Sequence, residues 1–328
     1  MLVHMDDSSV TLSKVTEVSE SDVRVSQPIE GLRVAEGIAL AFLIYASVAC
    51  LGLLTSVRER VTIAVLNVVV GTVIFLLRKV TQGNPRTFLV AVRNWFPAAL
   101  ILLAYRESGF FFIADPRHRL DRVFVRWDSV LLHNPWVLAA LSALAPWLQY
   151  YLELAYLLCY PIVPLGLGCL MLAQRRLETR DSKHETPESR IQNLESKIVV
   201  DRFWTVVLIA TLFCYTVYPF FPLTPPRVLF HDLPGPLVPP LLRAANLWLL
   251  GHYGVEACIF PSGHVAAVTA TALAVRAYRR HVGALFLAAA ASVAVATVLL
   301  RYHYAADTLA GALVGWAAFG MSNRIHRR

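Results

Sequence analysis

His303 and Asp307 stand four residues apart, directly after Arg301 and Tyr302. That spacing is about one helical turn, so both side chains fall on one face: the carboxylate can hold one imidazole nitrogen and leave the other as a nucleophile of defined tautomer. Earlier in the chain, Pro261-Ser262-Gly263-His264 opens a long apolar run. Ser262 is a good helix N-cap, and the N–H groups of Gly263 and His264 at a helix mouth suit an anion. His264 stands where it can donate a proton to a leaving alkoxide. A third stretch, Thr224-Pro225-Pro226-Arg227, is stiffened by its prolines and offers Arg227 to the equatorial oxygens of a five-coordinate phosphorus. The chemistry these types point to is phosphoryl transfer, with Arg301 as a further phosphate contact. His252 and Tyr253 precede the second stretch and are candidates for an acceptor pocket, against the plainer reading of loop solvation. Taken singly, each piece has an ordinary structural use: a surface histidine, a headgroup-binding arginine, a Ser-Gly cap. Their joint appearance is what argues for a site.

The elements that must carry these residues are membrane helices. A chain that is 57% hydrophobic and 16% charged, with a mean hydropathy of +0.56, is too apolar for a soluble domain of ordinary make-up. Weak period-2 alternation excludes a barrel, and the apolar runs approach the length an α-helix needs to cross the hydrocarbon. The expected fold is all-α, a polytopic membrane helical bundle of about eight spans with interfacial helices. These spans fall at 34–55, 61–77, 88–105, 147–172, 202–219, 261–278, 282–300 and 305–321. Arg93 and Asn94 interrupt the third, where Arg93 is expected to snorkel towards headgroups. The piece at 241–250 is too short to cross and is laid in the interface.

Residues 1–30 read as a flexible polar tail, and 31–173 as an N-terminal transmembrane half. Within that half, 107–146 mixes charge with Trp and Pro in the manner of interfacial helices, a packed collar or the lining of a lipid entrance. A charged linker at 174–200 separates it from the half that carries the chemistry, 201–328. The net charge of +8 sits in short clusters at span ends, which argues for membrane topology and against a nucleic-acid partner. The clusters Arg78-Lys79, Arg175-Arg176, Arg279-Arg280 and the C-terminal arginines share one side in an eight-span chain, and that side should be cytoplasmic. The Pro-rich loop after 219, the start of the sixth span and the seventh-to-eighth turn then converge on the non-cytoplasmic face. Four of the five cysteines, Cys50, Cys159, Cys169 and Cys214, lie within apolar segments, so neither a disulfide framework nor a zinc site is expected.

At these residues the chain resembles the phosphatidic acid phosphatase type 2 superfamily of membrane phosphatases and phosphotransferases. Pro261-Ser262-Gly263-His264 is similar to its second motif, and His303-x-x-x-Asp307 to its third. Thr224-Pro225-Pro226-Arg227 and Arg301-Tyr302-His303-Tyr304 look most like the branch that contains inositol phosphorylceramide synthases. The resemblance implies a metal-independent reaction with no cofactor, through a phosphohistidine: His303 as nucleophile, Asp307 as its partner, His264 as acid, and Ser262, Gly263, Arg227 and Arg301 as phosphate ligands. The implied partners are membrane lipids, a phospholipid donor and a lipid hydroxyl or water as acceptor. Two departures stand out. No Lys precedes Arg227 in its loop, and Thr297 occupies the position, six residues before His303, where the commoner third motif has Arg.

Overall fold

The computed structural model describes residues 31–83, 87–111, 120–132, 134–136, 139, 143, 146–181, 187–229, 240–255 and 260–327. Among these the chain forms α-helices and short 3-10 turns. The helices are α1 (Val34–Leu53), α2 (Val57–Gly83), α3 (Thr87–Ser108), α4 (Asp121–Leu132), α5 (Pro146–Leu157), α6 (Ile162–Asp181), α7 (Pro187–Val217), α8 (Pro226–Leu229), α9 (Pro240–Tyr253), α10 (Gly263–Tyr278), α11 (Arg280–Leu299) and α12 (Ala305–Ile325). The tail 1–30, Cys258 and, within the 107–146 stretch, residues 112–119 and most of 137–145 lie outside the described residues.

Among the described residues, five helices are long and apolar enough to cross a membrane: α1, α2, α3, α11 and the later part of α7. A sixth such unit is the α5–α6 pair, bent by 70°. Proline accounts for the bend, because Pro161 sits in the break between the two helices and denies it a backbone N–H. The other two expected spans are present as helices. At 16 residues α10 is only about 24 Å long, and α12 carries Asp307, Asn323 and Arg324 among its apolar residues. Large apolar side chains lie open along α1, α2 and α11, including Ile44, Val65, Val68, Phe75 and Leu285, as contact with lipid tails requires.

Helix α7 is the axle. Phe203, Trp204, Val207, Leu208, Ala210 and Cys214 are buried on it, and α1, α3, α6, α10 and α12 all pack against it. The 174–197 stretch expected as a solvated linker lies mostly in the ends of α6 and α7. Glu, Lys, Arg and Gln are good helix formers, so a charged sequence without an apolar period still continues a helix.

At the end of the bundle remote from His303, polar groups are buried and paired. Arg93 does not snorkel: it is buried and forms a two-pronged ion pair with Glu36, at 2.6 and 2.8 Å. A guanidinium fork matches a carboxylate, and in an apolar bundle that pairing offsets desolvation better than a long reach to the interface. Asp201 of α7 accepts hydrogen bonds from the N–H groups of Val34 and Ala35, capping α1 from a neighbouring helix.

At the other end, α10 and α12 approach closely because α12 presents Gly311 and Gly315. A Cβ at 315 would lie 2.7 Å from the Ala266 carbonyl oxygen, and one at 311 would collide with the carbonyl of Ser262. Small residues four apart let two helix backbones meet, and here they bring the mouth of α10 onto the start of α12. Gly311→Val is therefore expected to cost about 1–3 kcal/mol by overpacking. Thermal unfolding in detergent should show a lowered Tm, whereas Leu313→Val, at an exposed position on the same helix, should leave it nearly unchanged.

Candidate active site

Three stretches distant in sequence meet at this end. The backbone N–H of Arg227 donates to the carbonyl of Arg301 at 2.9 Å, and that of Ser262 donates to the carbonyl of Asp307 at 3.0 Å. Tyr304 Oη donates to the Thr224 carbonyl at 2.9 Å. The segments around 224, 262 and 303 are thus joined through main-chain groups, which fixes their relative positions more firmly than side-chain contacts alone.

His303 Nδ1 lies 3.1 Å from Asp307 Oδ2. Both residues are buried, the histidine on the turn before α12 and the aspartate in its first turn. The helical spacing expected from sequence thus becomes a hydrogen bond that orients the ring and leaves Nε2 as the second nitrogen. Burial, with Arg227 adding to it, holds the His303 imidazole below its ordinary value, so the free site keeps it neutral. His264 faces it with ring centroids 5.7 Å apart and the planes at 64°. Around His264 stand Tyr105, Tyr156 and Tyr160, with centroids 5.8–6.4 Å away.

The mouth of α10 differs from an open cradle. Ser262 Oγ accepts from the Val265 N–H, as an N-cap should, but the Gly263 N–H donates to the Tyr218 hydroxyl at 3.1 Å. Tyr218 thereby occupies one of the donors expected to be free for an anion. Its approach also explains the glycine, since a Cβ at 263 would come 2.7 Å from Tyr218 Oη. Arg227 sits at the start of the short α8, near Tyr105, Tyr156 and Tyr302, and burial holds its guanidinium below the ordinary arginine value. Arg301 has a positive φ of 62°, a conformation that costs a non-glycine residue about 1–3 kcal/mol. That turn directs its carbonyl to Arg227 and its N–H to the Val298 carbonyl.

His252 and Tyr253 are not gathered in with the others. Both are exposed at the end of α9; His252 Nδ1 contacts the Trp248 carbonyl at 2.8 Å, and its ring lies against the Trp248 ring. Their neighbour Val255 does reach the site's wall, donating its N–H to Tyr105 Oη.

With this geometry in place, comparison with known families is informative. Residues 195–321 match the PAP2 superfamily. The match takes in all three stretches that carry the candidate residues and supports a phosphatase-type enzyme. No curated protein and no solved structure matches the chain.

Several site-building residues lie before the matched PAP2 segment and carry no motif. Asp121 on α4 accepts from both the N–H and the hydroxyl of Thr224, at 2.7 and 3.1 Å. Asp128, two turns further along the same face of α4, accepts from the N–H of Ala305 at 3.1 Å and so caps α12, whose own N-cap residue supplies no side-chain acceptor. Phe124 between them packs against Tyr304 and Phe260. The only sequence signal was spacing: Asp121, Phe124 and Asp128 recur at helical intervals within a stretch otherwise dominated by Arg and Trp.

Burial, offset by the Ala305 hydrogen bond and reinforced by Asp307, pushes Asp128 up to about 6. A carboxyl raised in the folded state costs stability as pH rises from its unfolded value through its folded one. Asp128→Asn keeps an acceptor without the charge. It should have a higher Tm than the parent above pH 6, with the difference closing as pH falls towards about 4. Differential scanning fluorimetry across that range checks it.

Proposed function

We propose that this protein is an integral membrane lipid phosphatase or phosphotransferase that works through a phosphohistidine. The observation that carries the reading is the His303–Asp307 hydrogen bond facing His264 inside a buried, tyrosine-walled site. In the first step His303 Nε2 attacks phosphorus, the bond from phosphorus to the leaving oxygen breaks, and His264 supplies that oxygen with a proton. Asp307 stabilises the imidazole that has gained a bond, and Arg227, with Arg301 and Ser262, balances charge on the phosphoryl oxygens. In the second step an acceptor hydroxyl gives its proton to His264 and attacks phosphorus, and the N–P bond breaks.

The acceptor distinguishes transfer from hydrolysis. Resemblance to the inositol phosphorylceramide synthase branch favours a lipid hydroxyl and transfer of a phosphate-bearing headgroup. The apolar face that α4 lays beside Tyr304 and Phe260 is a suitable wall for a second lipid. The site is assigned to the non-cytoplasmic face on the distribution of basic clusters. His252 and Tyr253 remain candidates for the acceptor side only through the Val255–Tyr105 contact.

Purified protein should convert a labelled phospholipid in EDTA, and ceramide or diacylglycerol should yield a new headgroup-bearing lipid by mass spectrometry. Free phosphate with no such lipid would mark a hydrolase, and no conversion across a broad lipid panel would mark a transporter or scaffold. His303→Ala should lower turnover by about 10³-fold or more and abolish an acid-labile phosphoryl label. His264→Ala should cost about 10²–10⁴-fold. Activity that survives His303→Ala would overturn the mechanism.

A further inference from the structure

We propose that Arg243, on α9, is a phosphate-binding residue of this site, held in place by the buried carboxylate of Glu153. The inference rests on the phosphoryl-transfer reading above and adds a residue that none of the three motifs contains.

Glu153 on α5 is fully buried, and its carboxylate collects donors from three directions: Arg243 Nη1 at 3.1 Å, the Tyr302 hydroxyl at 2.8 Å and the Asn246 amide. Arg243 Nη1 also donates to the Leu300 carbonyl at 3.1 Å, and the guanidinium lies 4.6 Å over the Tyr302 ring. Tyr302 in turn stacks on Tyr156, with centroids 3.8 Å apart and planes at 14°, and the Tyr156 ring flanks His264. A planar cation over an aromatic pair is a rigid arrangement, so Arg243 is fixed beside the residues that precede His303. Among the described residues, the hydrogen bonds to Glu153 and Leu300 both run through Nη1, and the side chain is a quarter exposed, so the rest of the fork can turn to a ligand.

The charge balance points the same way. Glu153 pairs with Arg243, yet the charge of Arg243 still reaches both Arg227 and Arg301, so three arginines gather about this turn. Cations gathered in a partly buried place repel unless an anion joins them, and a phosphoryl group is the anion that the neighbouring histidines require. Position 297 explains why a cation from elsewhere is needed. Thr297 is buried; its hydroxyl meets the Ala294 carbonyl and the Thr308 hydroxyl, and its carbonyl accepts from both Tyr302 and His303. It braces the turn and brings no charge. Arg243 approaches the same turn from α9 and brings one.

The test is binding of inorganic orthophosphate to the full-length protein in detergent, by isothermal titration calorimetry. Arg243→Gln should weaken binding by about tenfold or more, the loss expected of a charge-assisted hydrogen bond, and Arg243→Lys by less. Tm for each variant verifies folding. A folded variant that binds orthophosphate within about twofold of the parent would overturn the assignment. A parent protein that binds none would overturn it together with the phosphoryl-transfer reading. Independently of any variant, orthophosphate should protect Arg243 of the parent from phenylglyoxal, read by peptide mass spectrometry; unprotected modification would equally sink the proposal.

Discussion

The close contact between α10 and α12 is the constraint on which the site depends. Gly311 and Gly315 remove the side chains that would hold the two helices apart, and the Ser262 N–H then reaches the Asp307 carbonyl. That bond sets the start of α12 against the mouth of α10. Everything chemical follows from it, since the Asp307 side chain orients His303 from the same residue whose carbonyl anchors Ser262. The proposed reaction, with His303 and His264 on different segments, needs such a backbone fixture, because a displacement of even an ångström weakens a reaction that relies on orientation.

The remote end of the bundle uses a different currency for the same task. There the helices are joined by buried charge, Arg93 with Glu36 and Asp201 with the first turn of α1. Lipid supplies no hydrophobic drive for helix association, so close backbone packing at one end and ion pairs at the other give α7 and its neighbours a unique arrangement. Charges at the two ends of the bundle thus differ in role: at the remote end Arg93 pairs with Glu36, whereas near His303 several carboxylates accept from main-chain N–H groups or orient a ring.

The sequence made the helices legible because each span is a long apolar run closed by basic residues, and the eight expected spans all appear as helices. It misjudged Arg93 and did not show that much of the 174–200 linker is helical, for related reasons. Composition shows that a residue is charged, but whether it meets lipid headgroups, water or Glu36 is decided by which helix lies alongside. Of the chemical residues, His264, His303, Asp307, Arg227 and Ser262 were visible through their local spacing, and they do come together. Asp121, Asp128 and Glu153 were not visible. Each acts on a partner far along the chain, Thr224, Ala305 or Tyr302, and no local pattern encodes a contact of that separation. Nor could local spacing show that Tyr218, just past the end of α7, reaches the Gly263 N–H.

The position of α4 and α5 bears on how separable the catalytic half is. Residues 195–321 contain every motif, yet Asp121 secures Thr224, Asp128 caps α12 and Glu153 braces the turn before His303, all from outside that segment. The C-terminal half is consequently not a module that could be excised or transplanted with its activity. Two acidic supports on α4 and one on α5 would have to travel with it, so the N-terminal half is as much a part of the candidate site's architecture as the histidines themselves.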